Sequence, residues 1–233
     1  MALPKIELPI FELALPSNGE KIKYRPFTVK EEKILLVAQQ SHDATQEVIA
    51  VKQIVNNCLI DKDISELAMF DLEFIMLALR SKSIDNNIEF AVKDPDTEET
   101  VKLTLDIENV TVLKNPEHTN QIKINETYTL FLKYPTIDEY IKISELDQED
   151  PLVSYFMMVS CLDQVASEDE VYNLKDYTQK EIDTFVEDFS ADVIKKIQDF
   201  FETMPKVRHE LKYKNKNGDE KTFVIEGMRT FFT

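Results

Sequence analysis

Apolar and polar residues alternate at the start of the chain and then recur at helical spacing. Residues 5–15 and 20–25 alternate on either side of a Ser-Asn-Gly turn, which predicts a first hairpin of strands. Thr28 and Glu31 have the spacing of a capping box, in which side chains and main chain satisfy each other's polar groups at a helix start. We therefore expect a helix over 29–40.

Two further helices and a hairpin are predicted in the first half. Residues 43–59 carry one apolar stripe at helical spacing, which indicates a helix packed on a core by one face. Residues 65–81 are apolar around most of the helical circumference and predict a central, surrounded helix. Two alternating runs, 88–93 and 100–105, then predict a hairpin.

A polar segment with a proline, 115–120, separates the first half of the chain from a second half with a similar order of elements. Residues 121–133 have the pattern of strands, and Thr136 is placed to cap a short helix. Pro151 opens a run that stays almost wholly apolar through Leu162, so we expect a helix at the centre of a second core.

The last third of the chain has clear helix and turn signals. Thr178 and Glu181 form another capping box, and Ser190 is placed to cap a helix over 191–203 with one apolar stripe. Strands at 209–214 and 221–225 flank Asn-Gly, a strong two-residue hairpin signal.

The order of elements indicates an internal duplication. Residues 130–141 repeat the plan of 21–34, and the only two cysteines, Cys58 and Cys161, fall at matching places in apolar runs read as helical. The sequence thus predicts an α+β fold of two duplicated units, each a β-hairpin, helices and a second β-hairpin. The expected bounds are 1–114 and 121–233, joined by the linker 115–120. A repeated scaffold of this kind favours binding or assembly.

Composition and charge narrow the class of partner. With 233 residues, 43% of them hydrophobic, the chain can bury a core, and its net charge of -17 opposes binding to nucleic acid or to an anionic membrane. The acidic surface serves solubility or faces a basic partner. No apolar run is long enough for a signal peptide or a membrane span, so we expect the chain in the cytoplasm where it is made.

Catalytic and metal-binding patterns are not found in the sequence. His42, His118 and His209 are scattered, no C-x-x-C or H-E-x-x-H occurs, and three glycines leave no phosphate-cradling loop. We therefore expect no enzyme activity, no cofactor and no metal, with both cysteines buried and inert. Two alternatives stay open: a small soluble enzyme using carboxylates in a pocket between the halves, and an acidic inhibitor of a basic protein.

Both ends of the chain carry apolar side chains that could contact another protein. These partner-contact candidates are Ile6, Leu8, Ile10 and Phe11 at the start, and Met228, Phe231 and Phe232 at the end. An edge strand at the start, and aromatic residues docked on their own domain at the end, are the favoured interpretations. Docking on a partner is the alternative.

Two short motifs carry a resemblance to a known family. The run Arg-Pro-Phe-Thr-Val-Lys-Glu-Glu-Lys at 25–33, after an apolar hairpin, resembles the start of the small baseplate hub proteins of T4-type contractile-tailed phages. The closing hairpin with Glu-Gly-Met-Arg-Thr-Phe-Phe at 226–232 resembles their ends.

The resemblance implies a non-enzymatic phage tail protein that acts in the assembly or the structure of the baseplate central hub. Its implied partners are other tail and hub proteins, or a second copy of the chain, with no nucleic acid and no membrane. Its implied location is the host cytoplasm during assembly, or the tail baseplate of the virion. The family supplies no catalytic residues, and the terminal strands with Phe231 and Phe232 are the contacts expected for docking.

Overall fold

The computed structural model describes residues 4, 6–41, 43–146, 150 and 152–227. The strands in chain order are β1 (Phe11–Ala14), β2 (Lys21–Tyr24), β3 (Leu59–Ile60), β4 (Asn87–Lys93), β5 (Thr100–Asp106), β6 (Thr111–Leu113), β7 (Gln121–Lys123), β8 (Thr129–Leu132), β9 (Leu162–Ala166), β10 (Val171–Asn173), β11 (Lys206–Lys214) and β12 (Glu220–Glu226). The helices are α1 (Val29–Ser41), α2 (Ala44–Cys58), α3 (Met69–Ser83), α4 (Ile137–Ser144), α5 (Val153–Ser160), α6 (Gln179–Glu187) and α7 (Ala191–Thr203). All strand pairs are antiparallel, and the α+β prediction is confirmed.

The chain divides into two compact units. Unit 1 comprises Met1–Leu113 and Lys206–Thr233, and unit 2 comprises Lys114–Pro205. The main difference between this division and the expected 121–233 unit is that the closing hairpin β11–β12 lies with unit 1. The physical reason is strand pairing: β11 lies between β12 and β6, with Val207 opposite Val112. The segment 115–120, expected as a linker, belongs to unit 2.

Unit 1 is built around α3, as its sequence predicts. Leu72, Ile75 and Leu79 on this helix have no exposed surface. The three-stranded sheet β1-β2-β3, the hairpin β4–β5 and the sheet β12-β11-β6 belong to the same unit. The helix begins at Met69 rather than at residue 65, because Ile64 and Leu67 form a buried turn closed by a main-chain bond of 3.1 Å before it.

The turns of two hairpins in unit 1 are tied to each other. The Tyr213 hydroxyl donates to Oδ2 of the buried Asp94 at 2.9 Å, and Lys216 Nζ lies 2.5 Å from Glu99 Oε1. The hairpin that the Asn-Gly signal predicts is confirmed, but its strands are joined by the five residues 215–219 rather than by two. Gly218 has φ +86° in this turn, a conformation that suits glycine. These bonds attach the closing hairpin to β4–β5.

Unit 2 contains the four-stranded sheet β10-β9-β8-β7, packed with α6 and α7 around Leu130, Ile197 and Phe200. The prediction that the apolar run from Pro151 forms the central helix is wrong. Of the described residues of α5, Met158 alone is buried, while Leu152 before it and Phe156 within it are exposed. The helix also ends at Ser160 instead of continuing through Leu162, because Leu162 pairs with Leu132 as the first residue of β9.

The helix starts in unit 2 follow the sequence signals. Thr136 with Glu139, and Thr178 with Glu181, form complete capping boxes, and the Ser190 hydroxyl accepts from the Val193 N–H. These side chains satisfy main-chain donors that a helix leaves unpaired at its first turn. The helix predicted over 191–203 is confirmed with these bounds.

Candidate interaction surfaces

The apolar residues expected to contact a partner at the chain start are largely exposed. Ile6 is 82% exposed and Ile10 61% exposed, while Leu8 is half-buried. These residues lie in a segment without regular secondary structure that leads into β1 and contains Pro9. An isoleucine in this setting keeps most of its apolar surface in water, so a partner that covers it gains hydrophobic free energy.

Phe11 differs from the residues before it because its ring is held by unit 1. The Phe11 and Tyr24 ring centroids lie 5.8 Å apart, and Lys82 Nζ lies 5.9 Å from the Phe11 centroid. Phe11 is also paired with Tyr24 across β1 and β2. It therefore anchors the segment, and the surface open to a partner is formed by residues 6–10.

Strand β1 lies at the edge of its sheet. The strand order is β1-β2-β3, and β1 pairs with β2 alone among the described strands. An edge strand presents main-chain donors and acceptors to which another chain can add a strand. The prolines at 4 and 9 lack an N–H, which restricts such pairing in the segment before β1. The C-terminal candidates Met228, Phe231 and Phe232 lie outside the described residues.

The outer faces of two helices carry exposed apolar side chains that were not predicted as partner contacts. On α1, Val29, Leu36 and Val37 are exposed, and 29 and 36 lie two turns apart on the same face. In unit 2, Leu152 and Phe156 are exposed at i, i+4 spacing. The apolar residues of α1 are not gathered on one side of the helix, and this is the sequence signal for an exposed apolar face. A helix whose apolar residues form a single stripe can turn all of them towards the core.

A second unpredicted feature is an aromatic pocket in unit 2, with a volume of about 440 Å³. Tyr128, Tyr172 and Tyr177 contribute three rings to its wall, and the Tyr128 and Tyr172 centroids lie 6.4 Å apart in an edge-to-face arrangement. Glu181 is the one carboxylate among its described lining residues. The remaining lining is apolar and comes from β9, α6 and the turn after β10: Val165, Leu174, Ile182 and Phe185.

Glu31 holds the start of α1 and is fully buried. Its Oε1 accepts from Arg25 Nη2 at 3.1 Å, and its Oε2 accepts from the N–H and hydroxyl of Thr28 at 2.9 and 2.7 Å. Burial by itself raises the pKa of Glu31, but the bonds from Arg25 and Thr28 outweigh it and lower the pKa to about 2. The Thr28 hydroxyl accepts from the Lys30 N–H at 3.3 Å, so only the carboxylate half of the predicted capping box is confirmed.

Unit 2 has the same arrangement at the start of α4. Lys133 Nζ lies 2.7 Å from Glu139 Oε1, and Glu139 Oε2 accepts from the N–H and hydroxyl of Thr136 at 2.8 and 2.9 Å. In both units a cation stands three residues before the threonine and six before the carboxylate. This arrangement is built from the motif at 25–33 and from its counterpart in the second half.

A protein-family model described as T4 bacteriophage base plate protein matches residues 8–233. The chain belongs to this family. The match includes both Thr–Glu arrangements, the aromatic pocket and the two motifs at 25–33 and 226–232, while Ile6 lies before it. Among curated proteins and among solved structures, none matches the chain.

Membership in the baseplate family supports a structural or assembly role in the phage baseplate, with other baseplate or tail proteins as partners. This role needs no catalytic centre. No group of three or more His, Cys, Asp and Glu side chains that could hold a metal ion occurs in the part of the chain that the structure describes. Within the same part, no helix is long and apolar enough to cross a membrane.

The two cysteines of this baseplate protein are buried, as expected. Both are fully buried and free. Burial raises the pKa of Cys58 to about 11 and the pKa of Cys161 to about 12. The nucleophilic form of cysteine is the thiolate, so neither residue is placed for nucleophilic catalysis at neutral pH.

His118 is enclosed by polar and aromatic groups of unit 2. Its Nδ1 lies 2.9 Å from Thr203 Oγ1 and its Nε2 lies 3.0 Å from the Tyr134 hydroxyl. The Thr203 hydroxyl donates to the Asp199 carbonyl at 2.6 Å, so it accepts from Nδ1–H, and Nε2 accepts from Tyr134. Burial lowers the pKa of His118, which favours this neutral form.

Proposed function

We propose that the chain is a non-enzymatic protein of the baseplate central hub, which acts in hub assembly or structure through protein–protein contacts. The observation that supports this most directly is the apolar segment 6–10, which is exposed and leads into the edge strand β1. Family membership supports a role in the baseplate, and the exposed segment is a surface through which the chain could bind another baseplate protein. Met228, Phe231 and Phe232 are proposed as further contacts from the sequence alone.

The partner chemistry proposed for the segment 6–10 is an apolar surface with an exposed strand edge. Covering Ile6 and Ile10 removes apolar area from water, and this gain depends little on ionic strength. Binding of a basic protein by the acidic surface, the inhibitor alternative, would instead weaken steeply with salt. Salt dependence therefore separates the two functions.

The experiment is a co-purification from phage-infected cells with the tagged full chain, carried out at low and high salt and read by mass spectrometry. We expect recovery of tail or hub proteins that persists at high salt. The double substitution Ile6→Ser and Ile10→Ser should reduce that recovery at least ten-fold, since each removes a buried isoleucine from the complex. Absence of tail proteins from the wild-type eluate would overturn the proposal.

Ile84→Ser is the matched control, because Ile84 in unit 1 is 56% exposed, close to the 61% of Ile10. It removes an equally exposed isoleucine elsewhere and should leave recovery unchanged. Truncation after Gly227 tests the C-terminal contacts, and undiminished recovery would exclude them. Sedimentation of the purified chain tests whether the partner at residues 6–10 is a second copy of the chain. If it is, the measured mass of the wild-type chain doubles as its concentration is raised, and the mass of the Ile6→Ser, Ile10→Ser double variant does not.

A further inference from the structure

The aromatic pocket of unit 2 combines three features that together define a ligand chemistry. Three tyrosine rings form its wall, apolar side chains form the rest, and Glu181 adds a carboxylate. Its volume of about 440 Å³ lies within the roughly 300–1,000 Å³ of pockets that hold specific ligands. A cation over an aromatic face is attracted by the ring, and a carboxylate beside the rings adds to that attraction.

Glu181 is held at the pocket by the helix start. Its Oε2 accepts from the N–H and hydroxyl of Thr178 at 2.8 and 2.7 Å, so Oε1 takes no part in the cap. The Tyr172 hydroxyl donates to Glu170, which fixes a second carboxylate beside this ring. Nine carboxylates and two lysines lie between residues 163 and 188. The two carboxylates beside the rings, Glu181 and Glu170, favour a cation in the pocket.

Strand β10 lies beside the pocket and offers an edge along which a peptide could pair. It is the edge of the sheet β10-β9-β8-β7, and Tyr172 at its centre pairs with Val165 of β9, both of which line the pocket. An extended peptide that adds to a sheet edge places alternate side chains on one face of the sheet. A side chain on the face of Tyr172 would reach the pocket.

We propose that this pocket binds an arginine side chain of an extended segment of a partner protein, paired along β10. Arginine combines a planar cation that stacks on aromatic rings with an apolar stem that suits the lining. The identification of the occupant as protein rests on the proposed baseplate function, whereas the preference for a cation rests on the pocket itself. The contact differs from the one at residues 6–10 because it depends on charge and weakens with salt.

The test uses synthetic peptides and the full chain with ¹³C-labelled tyrosine rings, whose eight signals are assigned by substitution. The probe is a capped Leu-Arg-Leu-Arg peptide, and the matched peptides carry citrulline or glutamate in place of arginine. We expect the arginine peptide to shift the signals of Tyr128, Tyr172 and Tyr177, with affinity that falls as salt is raised. The citrulline peptide, which keeps the shape and loses the charge, should bind about ten-fold more weakly.

Two pairs of variants locate the site. Tyr177→Ser should abolish the shifts, while Tyr140→Ser on α4 should not, although the two tyrosines are 41% and 37% exposed. Glu181→Gln retains a side chain that can complete the cap and should weaken the arginine peptide about ten-fold. Glu187→Gln removes the same charge from α6 outside the lining residues and should leave affinity unchanged.

Equal shifts from the arginine, citrulline and glutamate peptides, equal shifts of Tyr140, or no shift at millimolar peptide would overturn this inference. Its failure is distinguishable from failure of the proposed function. If tail proteins are recovered through residues 6–10 but no peptide enters the pocket, the hub function stands and the pocket assignment is wrong. If the arginine peptide binds at the pocket but no tail protein is recovered, the pocket chemistry stands and its hub partner is rejected.

Discussion

The main-chain N–H of Arg25 donates to the carbonyl oxygen of Cys58 at 3.0 Å. In unit 2 the N–H of Lys133 donates to the carbonyl oxygen of Cys161 at 2.8 Å. In each unit the strand residue before the cation pairs with the leucine after the cysteine. The shared bonding supports the internal duplication, which stays a prediction, and gives both cysteines a positional role that needs no thiol chemistry.

Replacing Glu31 by Gln should destabilise unit 1 by about 3 kcal/mol, as measured by urea unfolding at pH 7. The Glu31 carboxylate has no exposed surface and pairs with Arg25, which is 26% exposed, and removal of the buried partner of an ion pair leaves the other charge without its counter-charge. Glutamine is long enough to keep the hydrogen bonds to Thr28, so the decrease in stability measures the contribution of the negative charge.

Glu139→Gln in unit 2 is the matched comparison. Its partner Lys133 is 39% exposed and Glu139 itself 21% exposed, so water compensates for the lost pair and the expected cost is about 1 kcal/mol. Equal costs for the two variants would show that the burial of Glu31 does not determine its contribution.

The free energy of unfolding of the wild-type chain should decrease as pH is lowered through the range in which Glu31 takes up a proton. Its pKa of about 2 in the fold lies below the ordinary value of 4.5, so its contribution is present above pH 4.5 and is lost as pH falls towards 2. Urea midpoints measured between pH 5 and 2.5 should therefore decrease more steeply for wild type than for Glu31→Gln. Parallel curves would contradict this assignment.

A second, milder window should come from His118. Burial lowers its pKa, so the unfolded chain takes up the proton first, and stability decreases as pH falls below about 6.5 towards the lower folded value. We expect His118→Gln to flatten the change in urea midpoint between pH 7.5 and 5.5. An unchanged slope in His118→Gln would refute the prediction.

Neither native cysteine should react with a thiol reagent in the folded chain at pH 8. Both are fully buried, and their pKa values of about 11 and 12 leave little thiolate. Two thiols should be counted after addition of denaturant. Glu168→Cys, at an exposed position between β9 and β10, is the positive control and should add one rapidly reacting thiol to the folded protein. Rapid reaction of wild type would contradict the burial.

Local signals in the sequence predicted the helices and hairpins best. The helix over 191–203 has a serine cap before it and Pro205 after it, and both act through neighbouring atoms. The short strands β3 and β9 were missed, since their conformation depends on pairing with β2 and β8, which lie far away in the chain. The run from Pro151 is almost wholly apolar, so its composition does not show which side of the helix is covered.

The candidate surfaces were predictable to a smaller extent. The strand predicted from residue 5 begins at Phe11 instead. Pro9, which has no N–H to donate to a strand pair, lies in the part before it, where Ile6 and Ile10 are exposed. The aromatic pocket is not visible in the sequence, because Tyr128 lies just before β8 and Tyr172 lies on β10, two strands with β9 between them, while Glu181 comes from the start of a helix. Only the register of the sheet brings these side chains together.

The pairing of β6 with β11 has a consequence for the order of synthesis. Leu113 and Lys206 are opposite one another in that ladder, so all of unit 2 lies in the loop between two neighbouring strands of unit 1. On the ribosome, every residue of unit 2 emerges before β11 does. Unit 2 can therefore be complete while unit 1 still lacks two strands of one sheet, and the first part of the chain to be made is the last to be finished.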